Sequence, residues 1–463
     1  MNHISQIIEH LEAHRDAASV PAAARAAAKM FMRDSMGVAL AGARVAESRL
    51  VATVVAQWGL APQGGARVWG STQTLPAPSA ALRNAFHIHN QEFDCVHERA
   101  VVHPMAVILA ALGAYAERAG GVSGTRFLAA LALAVDVATV IGMSATRPIR
   151  FFRPAQCGCL GATAGIAWLG GFSEQQTRDA MGLAYSQLAG TMQAHIEGTP
   201  ALALQVAFAA RAAVCAADLA AVGFRGPHDV LDGRYGYFAL IEDGAASPTA
   251  PFAELGQVWQ ITRVAHKPYP TGRAAQGGIS GLIKFMQQHA LSAGDIESVT
   301  LFAPPLIRQL VDRPYQAQMP VNYARLCLPY LLALVLRDGR VGLDAYTAAN
   351  LSADDLAKLS ARVGVQPDAN TDPNALAPQR LLVKTRAGQT FAIDMPHVYG
   401  APEARMSEDA QRQKFVDCCR AAPEPLDDHG IAALQAAIDD IETCADVREV
   451  FARTIPNTPQ QSS

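Results

Sequence analysis

Charge is scarce in this sequence. Asp, Glu, Lys and Arg together make up 17% of the 463 residues, and the formal net charge is only -3. No basic excess is therefore available to hold nucleic acid or an anionic membrane surface. Hydrophobic residues reach 50%, which leaves little polar surface to spare. We expect a large buried core, a buried subunit interface, and neither a nucleic-acid nor a membrane partner.

Several familiar signatures are also missing. There is no GxGxxG followed by an acidic residue, no P-loop and no GxSxG, so the sequence supports neither nucleotide binding nor serine hydrolase chemistry. The eight cysteines include no CxxC repeat, and several lie in apolar helical patterns, as expected in a reducing cytoplasm. The N-terminus lacks the basic start and apolar run of a signal peptide. These features predict a cytoplasmic protein.

Helical patterns occupy the chain up to about residue 257. Ile4, Ile7, Ile8 and Leu11 share one helical face, and Ser173 with Gln176 predicts a capping box. The most apolar stretch, 127–143, is Ala-rich and contains Asp136, which favours a buried helix over a membrane span. We predict that 1–257 forms the first part of a large helical bundle domain.

The pattern changes near residue 258. Strands are predicted at 258–264 and 296–302, with a helix between them and an apolar helix at 326–336. The segments 381–385 and 390–393 flank Ala387-Gly388, which predicts a hairpin. The predicted fold is therefore mostly α, with a smaller α+β lid domain at 258–401 inserted into the helical bundle. The chain at 402–455 returns to that bundle, and 456–463 is expected to be a flexible tail.

One segment concentrates the polar chemistry. His87, His89, Asp94, His97 and His103 lie within seventeen positions, and imidazoles beside carboxylates are the usual means of proton transfer near neutral pH. Two other interpretations remain open. Some of these histidines could cap helices or lie on the surface, and His87, His89 and Asp94 could bind a metal, although their spacing matches no strong metal signature.

Three further polar segments are candidates. His266-Lys267-Pro268-Tyr269-Pro270-Thr271-Gly272-Arg273 leads into a helix and could hold a carboxylate or phosphate, or could be a solvated basic loop. Arg153 precedes a stretch containing Gly158 and Gly161, where backbones can pass closely. His195 with Glu197 forms a polar island between apolar helices. The last two segments fit structural and functional roles equally well.

These segments, in this order, resemble the MmgE/PrpD family over nearly the whole chain. The matching elements are Val68-Trp69-Gly70, His89-Asn90-Gln91-Glu92-Phe93-Asp94-Cys95, His103-Pro104, Leu160-Gly161-Ala162-Thr163-Ala164, Met181-Gly182-Leu183-Ala184 and Lys267-Pro268-Tyr269-Pro270. The resemblance implies a helical main domain with an inserted lid, a cleft between them, a homodimer, and no metal or organic cofactor.

The resemblance also assigns roles. It implies that His103 transfers a proton next to a carboxylate, that Asp94 orients it and that Lys267 stabilises a carboxylate or enolate. Four positions depart from the family pattern: Cys95 replaces an acid, Phe152 (or Arg153) and Gln276 replace histidines, and Leu202 replaces a lysine.

The departures bear on the substrate. His97, Arg153, Arg273 and His89 are our candidates for substrate binding. Since charge-assisted hydrogen bonds are worth about 1.5–3 kcal/mol each, the lost groups should weaken binding of a trianion. We predict a lyase or isomerase (dehydratase, decarboxylase or epimerase type) for a smaller or less charged acid. The alternative is a catalytically degraded relative that serves as a binding or partner subunit.

Overall fold

The computed structural model describes residues 2–61 and 64–456. The tail expected to be flexible at 456–463 therefore lies, apart from Pro456, outside the described residues. The described chain is mostly helical, with a small mixed sheet in its C-terminal region.

The helices are numbered along the chain. The first ten are α1 His3–Ala13, α2 Ala22–Gly42, α3 Ala46–Ala56, α4 Ala77–His89, α5 Pro104–Ala119, α6 Gly124–Met143, α7 Arg153–Leu169, α8 Glu174–Tyr185, α9 Gln193–Glu197 and α10 Ala201–Ala221. The others are α11 Tyr237–Leu240, α12 Thr249–Ala253, α13 Arg273–His289, α14 Pro305–Val311, α15 Val321–Ala324, α16 Leu328–Asp338, α17 Ala348–Leu351, α18 Asp354–Ser360, α19 Glu408–Arg420, α20 Asp428–Asp439 and α21 Arg448–Ala452.

The strands are short outside the C-terminal region. They are β1 Ala66–Arg67, β2 Thr74–Leu75, β3 Val96–His97, β4 Val264–Ala265, β5 Ile296–Ala303, β6 Val363–Pro367, β7 Gln379–Thr385 and β8 Thr390–Met395. Strands β1 and β2 pair with each other, as do β3 and β4. The other four form one sheet in the order β6-β5-β7-β8.

The core of the helical region depends on close backbone approach. A Cβ added at Gly161 in α7 would lie 2.4 Å from the Ala134 carbonyl oxygen in α6, and one at Gly158 would lie 2.7 Å from Val107 in α5. These contacts confirm that the two glycines of this segment allow helices to pass closely. The predicted capping box is also present, because Ser173 and Gln176 exchange hydrogen bonds at the start of α8.

Within residues 2–61 and 64–456, two helices are long and apolar enough to cross a membrane by length and composition. They are α6 and α10, and their most apolar windows are 89% and 61% buried within the protein. The core helices of soluble proteins meet the same criterion. In α6, the buried Asp136 carboxylate accepts a hydrogen bond from the backbone N–H of Gln260 at 2.7 Å. We therefore describe α6 as a core helix, as its sequence predicts.

The C-terminal sheet is mixed. Strand β5 runs parallel to β6 and antiparallel to β7. Strands β7 and β8 form the predicted hairpin, in which Gly388 has a φ of +81°, a conformation that glycine adopts without strain. The strand predicted at 296–302 is confirmed as β5, whereas β6, which contains Gly364 and Pro367, was not predicted.

The strand predicted at 258–264 is wrong. Gln260–Arg263 forms a 3₁₀ helix, and only Val264–Ala265 is extended, paired with β3 and not with the C-terminal sheet. The reason is tertiary. The Gln260 N–H is bound by Asp136, and its side-chain oxygen lies 3.1 Å from Nε2 of His97. These contacts override the local preference of a β-branched segment.

The last helices lie against the first part of the chain. Helix α19 packs on α2, where Nζ of Lys414 lies 2.7 Å from Oδ1 of Asp34 and both side chains are buried. Helix α20 adds a contact of 3.1 Å between Arg33 and Asp439. Both ends of the chain thus contribute to one helical body.

Candidate active site

A two-residue strand pair brings the two principal polar segments together. In β3 and β4, Val96 lies opposite Ala265 and His97 opposite Val264. Continuing this antiparallel register by two residues places Asp94 opposite Lys267. The distance from Nζ of Lys267 to Oδ1 of Asp94 is indeed 3.6 Å, and both side chains are completely buried. Residues 173 positions apart thereby share one site.

Asp94 is the centre of the cluster. Its Oδ2 atom lies 3.0 Å from Nδ1 of His89 and 3.3 Å from Nδ1 of His103. The contact with His89 has hydrogen-bond geometry. The two imidazole rings meet edge to face, with centroids 5.0 Å apart. Because both Nδ1 atoms face the carboxylate, each Nε2 atom is directed away from it.

Helix ends position both imidazoles. His89 is the last residue of α4, and His103 immediately precedes α5, which begins with Pro104. Proline suits that position because the first N–H groups of a helix have no partner within it. The turn between the helices includes Glu92, which has a φ of +53°. This conformation is uncommon for a non-glycine residue, and in it the Glu92 carboxylate contacts Lys267.

Lys267 is held by the chain itself. Its ammonium donates to the Glu92 carboxylate at 3.0 Å and to the Glu92 carbonyl oxygen at 3.1 Å. Asp94 lies 3.6 Å from the same ammonium, close enough for an ion pair but too far for a hydrogen bond. Lys267 and the charges of His89 and His103 outweigh burial and lower the pKa of Glu92 to about 2. Glu92 is therefore ionised at neutral pH.

The two imidazoles have opposite preferences for the proton. Burial, together with the charge of Lys267, lowers the pKa of His103, although Asp94 partly opposes this. Burial also disfavours charge on His89, but Asp94 and Glu92 outweigh it and raise its pKa. Neighbouring groups whose pKa values are pushed apart suit opposite roles in proton transfer. At neutral pH, His103 is a candidate base and His89 a candidate cation.

The cluster borders two neighbouring cavities. Cavity 1 is lined by His89, Asn90 and Glu92, with Gly198, Thr199 and Leu202 on the other side. Cavity 2 is lined by Glu92, His103, His195, Arg273 and a predominantly apolar wall that includes Phe152, Met192, Leu310, Val311 and Leu376. Glu92 and Leu326 line both cavities, so they form the partition between them.

Among the described residues, those that could together bind a metal are His89, Asp94 and His103, and not the set His87, His89 and Asp94 that the sequence suggested. Ligand atoms of His89, Asp94 and His103 lie within 4.8 Å of one another. His87 is not in that group; burial lowers its pKa to about 3. The ammonium of Lys267 lies against the same carboxylate, and a second cation there would be repelled. The cluster therefore suits a proton better than a divalent ion.

The remaining candidate binding residues are tied to the protein. Nε2 of His97 contacts Gln260, and burial lowers the pKa of His97 to about 4. Arg273 lines cavity 2, but its guanidinium donates to the Glu98 carboxylate and to three backbone carbonyls. Arg153 donates to the Arg147 carbonyl and to Asn374, and it is not among the residues lining either cavity. These contacts support the walls of the site.

Two functional candidates were not selected from the sequence. Glu92 lay within a recognised motif, but nothing in that motif indicated that its carboxylate would meet Lys267. His195 stood out as a polar island, and it lines cavity 2. Its Nδ1 atom lies 3.2 Å from Nη2 of Arg313. Since a guanidinium can only donate, Nδ1 accepts and the proton of neutral His195 lies on Nε2.

The four departures from the family pattern have distinct surroundings. The Phe152 ring lies 5.7 Å from that of His89 and lines cavity 2, and Leu202 lines cavity 1. Gln276 instead binds the backbone of Tyr269 and Thr271 in the loop after Lys267. Burial raises the pKa of Cys95 far above its usual range. Thus two departures change the cavity walls and two are absorbed by the fold.

Two family models and two known proteins match most of the chain. The family model described as the MmgE/PrpD N-terminal domain matches residues 5–249, and the MmgE/PrpD C-terminal domain matches residues 269–440. The cis-aconitate decarboxylase-like protein oryM of Aspergillus oryzae is 26% identical over 458 residues, which cover 94% of this chain and 93% of that protein. Cis-aconitate decarboxylase of Homo sapiens is 26% identical over 362 residues, or 75% and 74% of the two chains.

Proposed function

Because the chain belongs to the MmgE/PrpD family, we propose that it is a lyase or isomerase that removes a proton from the carbon next to a carboxylate. The family and its decarboxylase-like relatives support dehydratase- or decarboxylase-type activity on small carboxylic acids. The observation that carries the proposal is the contact of Asp94 with His89, His103 and Lys267 within 3.6 Å at the wall of a cleft.

His103 is the proposed base. Its side chain is 12% exposed and lines cavity 2, and its lowered pKa leaves the ring unprotonated near neutral pH. Asp94 lies 3.3 Å from Nδ1 of His103, and its negative charge favours the proton on that nitrogen, so that Nε2 can accept the substrate proton. Asp94 also stabilises the imidazolium that forms. In this arrangement Asp94 orients the base without accepting the proton itself.

The electron pair left on carbon determines the class of product. It can expel a leaving group from the neighbouring carbon, as in a dehydratase, or receive the proton again on its other face, as in an epimerase. In a decarboxylase no C–H proton is removed: the bond to the carboxylate breaks, CO₂ leaves, and the pair that stays on carbon takes a proton from His103, which has first received one from solvent. In each case negative charge develops on the substrate, and the proposed His89 cation, which lines cavity 1, would stabilise it.

Lys267 acts through the carboxylates of the chain. With Glu92 and Asp94 both against its ammonium, it holds the partition between the cavities and compensates two buried anions. A buried carboxylate without a partner would take up a proton. Burial opposes ionisation of Asp94, but His89, His103 and Lys267 together outweigh it and hold its pKa well below the usual range, so Asp94 stays ionised and can orient His103.

The family assignment also motivates an assembly. We propose that residues 258–401 form a lid over the helical region, because Arg273, Leu310 and Leu326 contribute to the cavity walls. We further propose a cytoplasmic homodimer. Large apolar side chains are exposed on and just after two helices: Leu50, Val54 and Trp58 at α3, and Phe208, Leu219 and Val222 at α10. Exposed apolar patches often mark interfaces between subunits.

A second candidate function is that of a binding or partner subunit without turnover. Phe152 and Leu202 favour it, because they line the two cavities where the family pattern has titratable groups. It predicts normal dimerisation and no conversion of any acid. The intact Asp94 cluster favours the enzyme.

Turnover distinguishes the two functions. Purified protein would be incubated with a panel of mono-, di- and tricarboxylic acids, and each substrate followed by proton NMR. We expect conversion of at least one acid, with loss of activity in both His103→Ala and Lys267→Ala. A folded dimer that converts none of the panel would support the partner subunit, and full activity in both variants would refute the assignment of the site.

A further inference from the structure

Two imidazoles line cavity 2. One is His103, the proposed base, and the other is His195 of the short helix α9. The side chain of His195 is buried, and it does not belong to the cluster that Asp94 forms with His89 and His103. The polar island that the sequence places between apolar helices therefore reaches the cavity independently of that cluster.

Arg313 holds the His195 ring in place. Its Nη2 atom donates to Nδ1 of His195 and to the carbonyl oxygen of the same residue, each at 3.2 Å. The guanidinium in turn lies over the ring of Tyr323, 4.8 Å from its centroid. A Cβ added at Gly198, where α9 ends, would lie 2.6 Å from Cβ of Tyr323, so α9 packs closely against this part of the chain. The orientation of His195 is thus set before a ligand arrives.

The contact with Arg313 also determines where His195 carries its proton. Because a guanidinium only donates, Nδ1 accepts, and the hydrogen of the neutral ring lies on Nε2. Burial and the charge of Arg313 lower the pKa of His195 to about 4, although Glu92 partly opposes this. Within residues 2–61 and 64–456, Nε2 has no hydrogen-bond partner, so its N–H is available to a ligand in cavity 2. His195 is therefore an uncharged donor, whereas Nε2 of His103 is an acceptor.

Removal of a proton next to a carboxylate calls for such a donor. The electron pair left on carbon is shared with the carboxylate, whose oxygens gain negative charge. A donor whose hydrogen bond strengthens as this charge develops lowers the barrier, because it stabilises the transition state more than the bound acid. An uncharged imidazole acts in this way in enzymes that polarise a carbonyl group. The apolar neighbours Phe152 and Met192 strengthen the hydrogen bond by limiting solvation.

We propose that His195 is a second catalytic residue of the site: its Nε2–H donates a hydrogen bond to the carboxylate oxygen that gains charge while His103 removes the neighbouring proton. Nε2 of His103 takes the proton, the electron pair of the C–H bond moves into the carboxylate, and His195 keeps its own proton throughout. Arg313 does not touch the substrate and is a positioning residue that sets the tautomer. The inference rests on the proposed function and names the group that stabilises the developing charge in cavity 2.

The tautomer can be measured without a substrate. Two-bond proton–nitrogen NMR spectra of the full-length protein with ¹⁵N-labelled histidine would be recorded from pH 5.5 to 8, and the His195 signals identified by their loss in His195→Phe. We expect an uncharged ring with its hydrogen on Nε2 over this whole range. Arg313→Met should raise the pKa of His195, because a neighbouring positive charge is removed. A hydrogen on Nδ1, or a charged ring at pH 7, would overturn the inference.

The catalytic role is tested by deuterium incorporation next to the carboxylate, measured in D₂O with a panel of mono-, di- and tricarboxylic acids. His195→Phe keeps a ring and removes the donor, so the rate at saturating acid should fall at least tenfold while KM changes less than threefold. His195→Gln retains an N–H donor and should recover part of the rate. His228→Phe is the matched control: this histidine also pairs with a carboxylate, that of Asp179 at 2.9 Å, and lines neither cavity, so the rate should not change.

The outcomes separate this inference from the proposed function. A folded His195→Phe protein whose rate stays within twofold of the native rate, or whose KM alone changes, would overturn the inference and leave the proposed function intact. No incorporation by the native protein into any acid would refute the proposed function and, with it, this role. If His195→Phe does not fold, Arg313→Met decides. It should raise the pKa of His195 and lower the rate together, and a change in neither would overturn the inference.

Discussion

Replacing Asp94 by Asn separates the charge of the central carboxylate from its shape. In the native protein this completely buried group faces His89 at 3.0 Å, His103 at 3.3 Å and Lys267 at 3.6 Å. At an effective dielectric constant near 20, a unit-charge pair at 4 Å interacts by about 4 kcal/mol before the cost of desolvation. The substitution removes this anion from three partners at once.

The expected magnitudes follow from the partners that remain. Removing one member of a buried ion pair costs about 3–5 kcal/mol, and since Lys267 keeps Glu92 we expect a loss of unfolding free energy near the lower end. Positioned acid–base catalysis contributes about 10²- to 10⁴-fold. Asp94→Asn should lower kcat by a factor in that range, because Nδ1 of His103 is no longer held by a carboxylate.

The assay combines activity with the titration of the rings. Histidine pKa values would be followed by NMR in native protein and in Asp94→Asn, and kcat measured on any substrate found. Loss of the anion should lower the pKa of His89, since Asp94 is the main favourable charge near it. Asp136→Asn is the matched control. It removes another fully buried carboxylate, which contacts His10 at 3.2 Å, and should reduce stability without changing kcat. An unaltered His89 titration with unaltered kcat in Asp94→Asn would refute the reasoning.

Three other outcomes are expected. The profile of kcat/KM against pH should be bell-shaped. On the acidic side activity falls as His103 is protonated, below the ordinary pKa of histidine, and on the basic side it falls as His89 loses its proton, above that ordinary pKa. A flat profile from pH 5 to 9 would contradict this. Urea unfolding should show lower stability at pH 5 than at pH 7.5. Burial lowers the pKa of four histidines to about 3 or 4 in the folded protein, namely His87, His97, His195 and His266. In the unfolded chain these histidines take up protons as the pH falls below about 6.5, which favours unfolding. Gly161→Val should destabilise the protein by about 1–3 kcal/mol because a Cβ meets the Ala134 carbonyl oxygen, whereas Gly364→Val, with no atom within 4 Å of the added Cβ, should change stability little.

The sequence predicted features that depend on neighbouring residues better than contacts between segments far apart in the chain. The capping box at Ser173, the core helix containing Asp136 and the hairpin around Gly388 each depend on residues close together in the chain, so the pattern contains the information. The segment 258–264 has the composition of a strand, but contacts of Gln260 with α6 and with His97 determine its conformation. Those contacts span more than a hundred residues and leave no local signal.

The site shows the same division. Motif likeness singled out Asp94, His103 and Lys267, and the structure brings the three together through the register of β3 and β4. The motif likeness could not reveal that the Glu92 carboxylate would accept a hydrogen bond from Lys267. That contact depends on the left-handed backbone conformation of Glu92 in the loop after α4. Nor could the motif likeness separate Arg273, which donates to Glu98 and to three backbone carbonyls, from Arg313, whose Nη1 atom is buried without a partner among the described residues.

The central claim is that His103, oriented by Asp94, takes a proton from the carbon next to a carboxylate. Hydrogen–deuterium exchange at that carbon tests it most directly and requires no knowledge of the final product. A mixture of mono-, di- and tricarboxylic acids would be incubated with the protein in D₂O and each acid followed by NMR. The account predicts exchange or conversion with incorporation of deuterium in at least one acid, abolished in His103→Gln. Equal incorporation by His103→Gln, or none by the native protein, would contradict it.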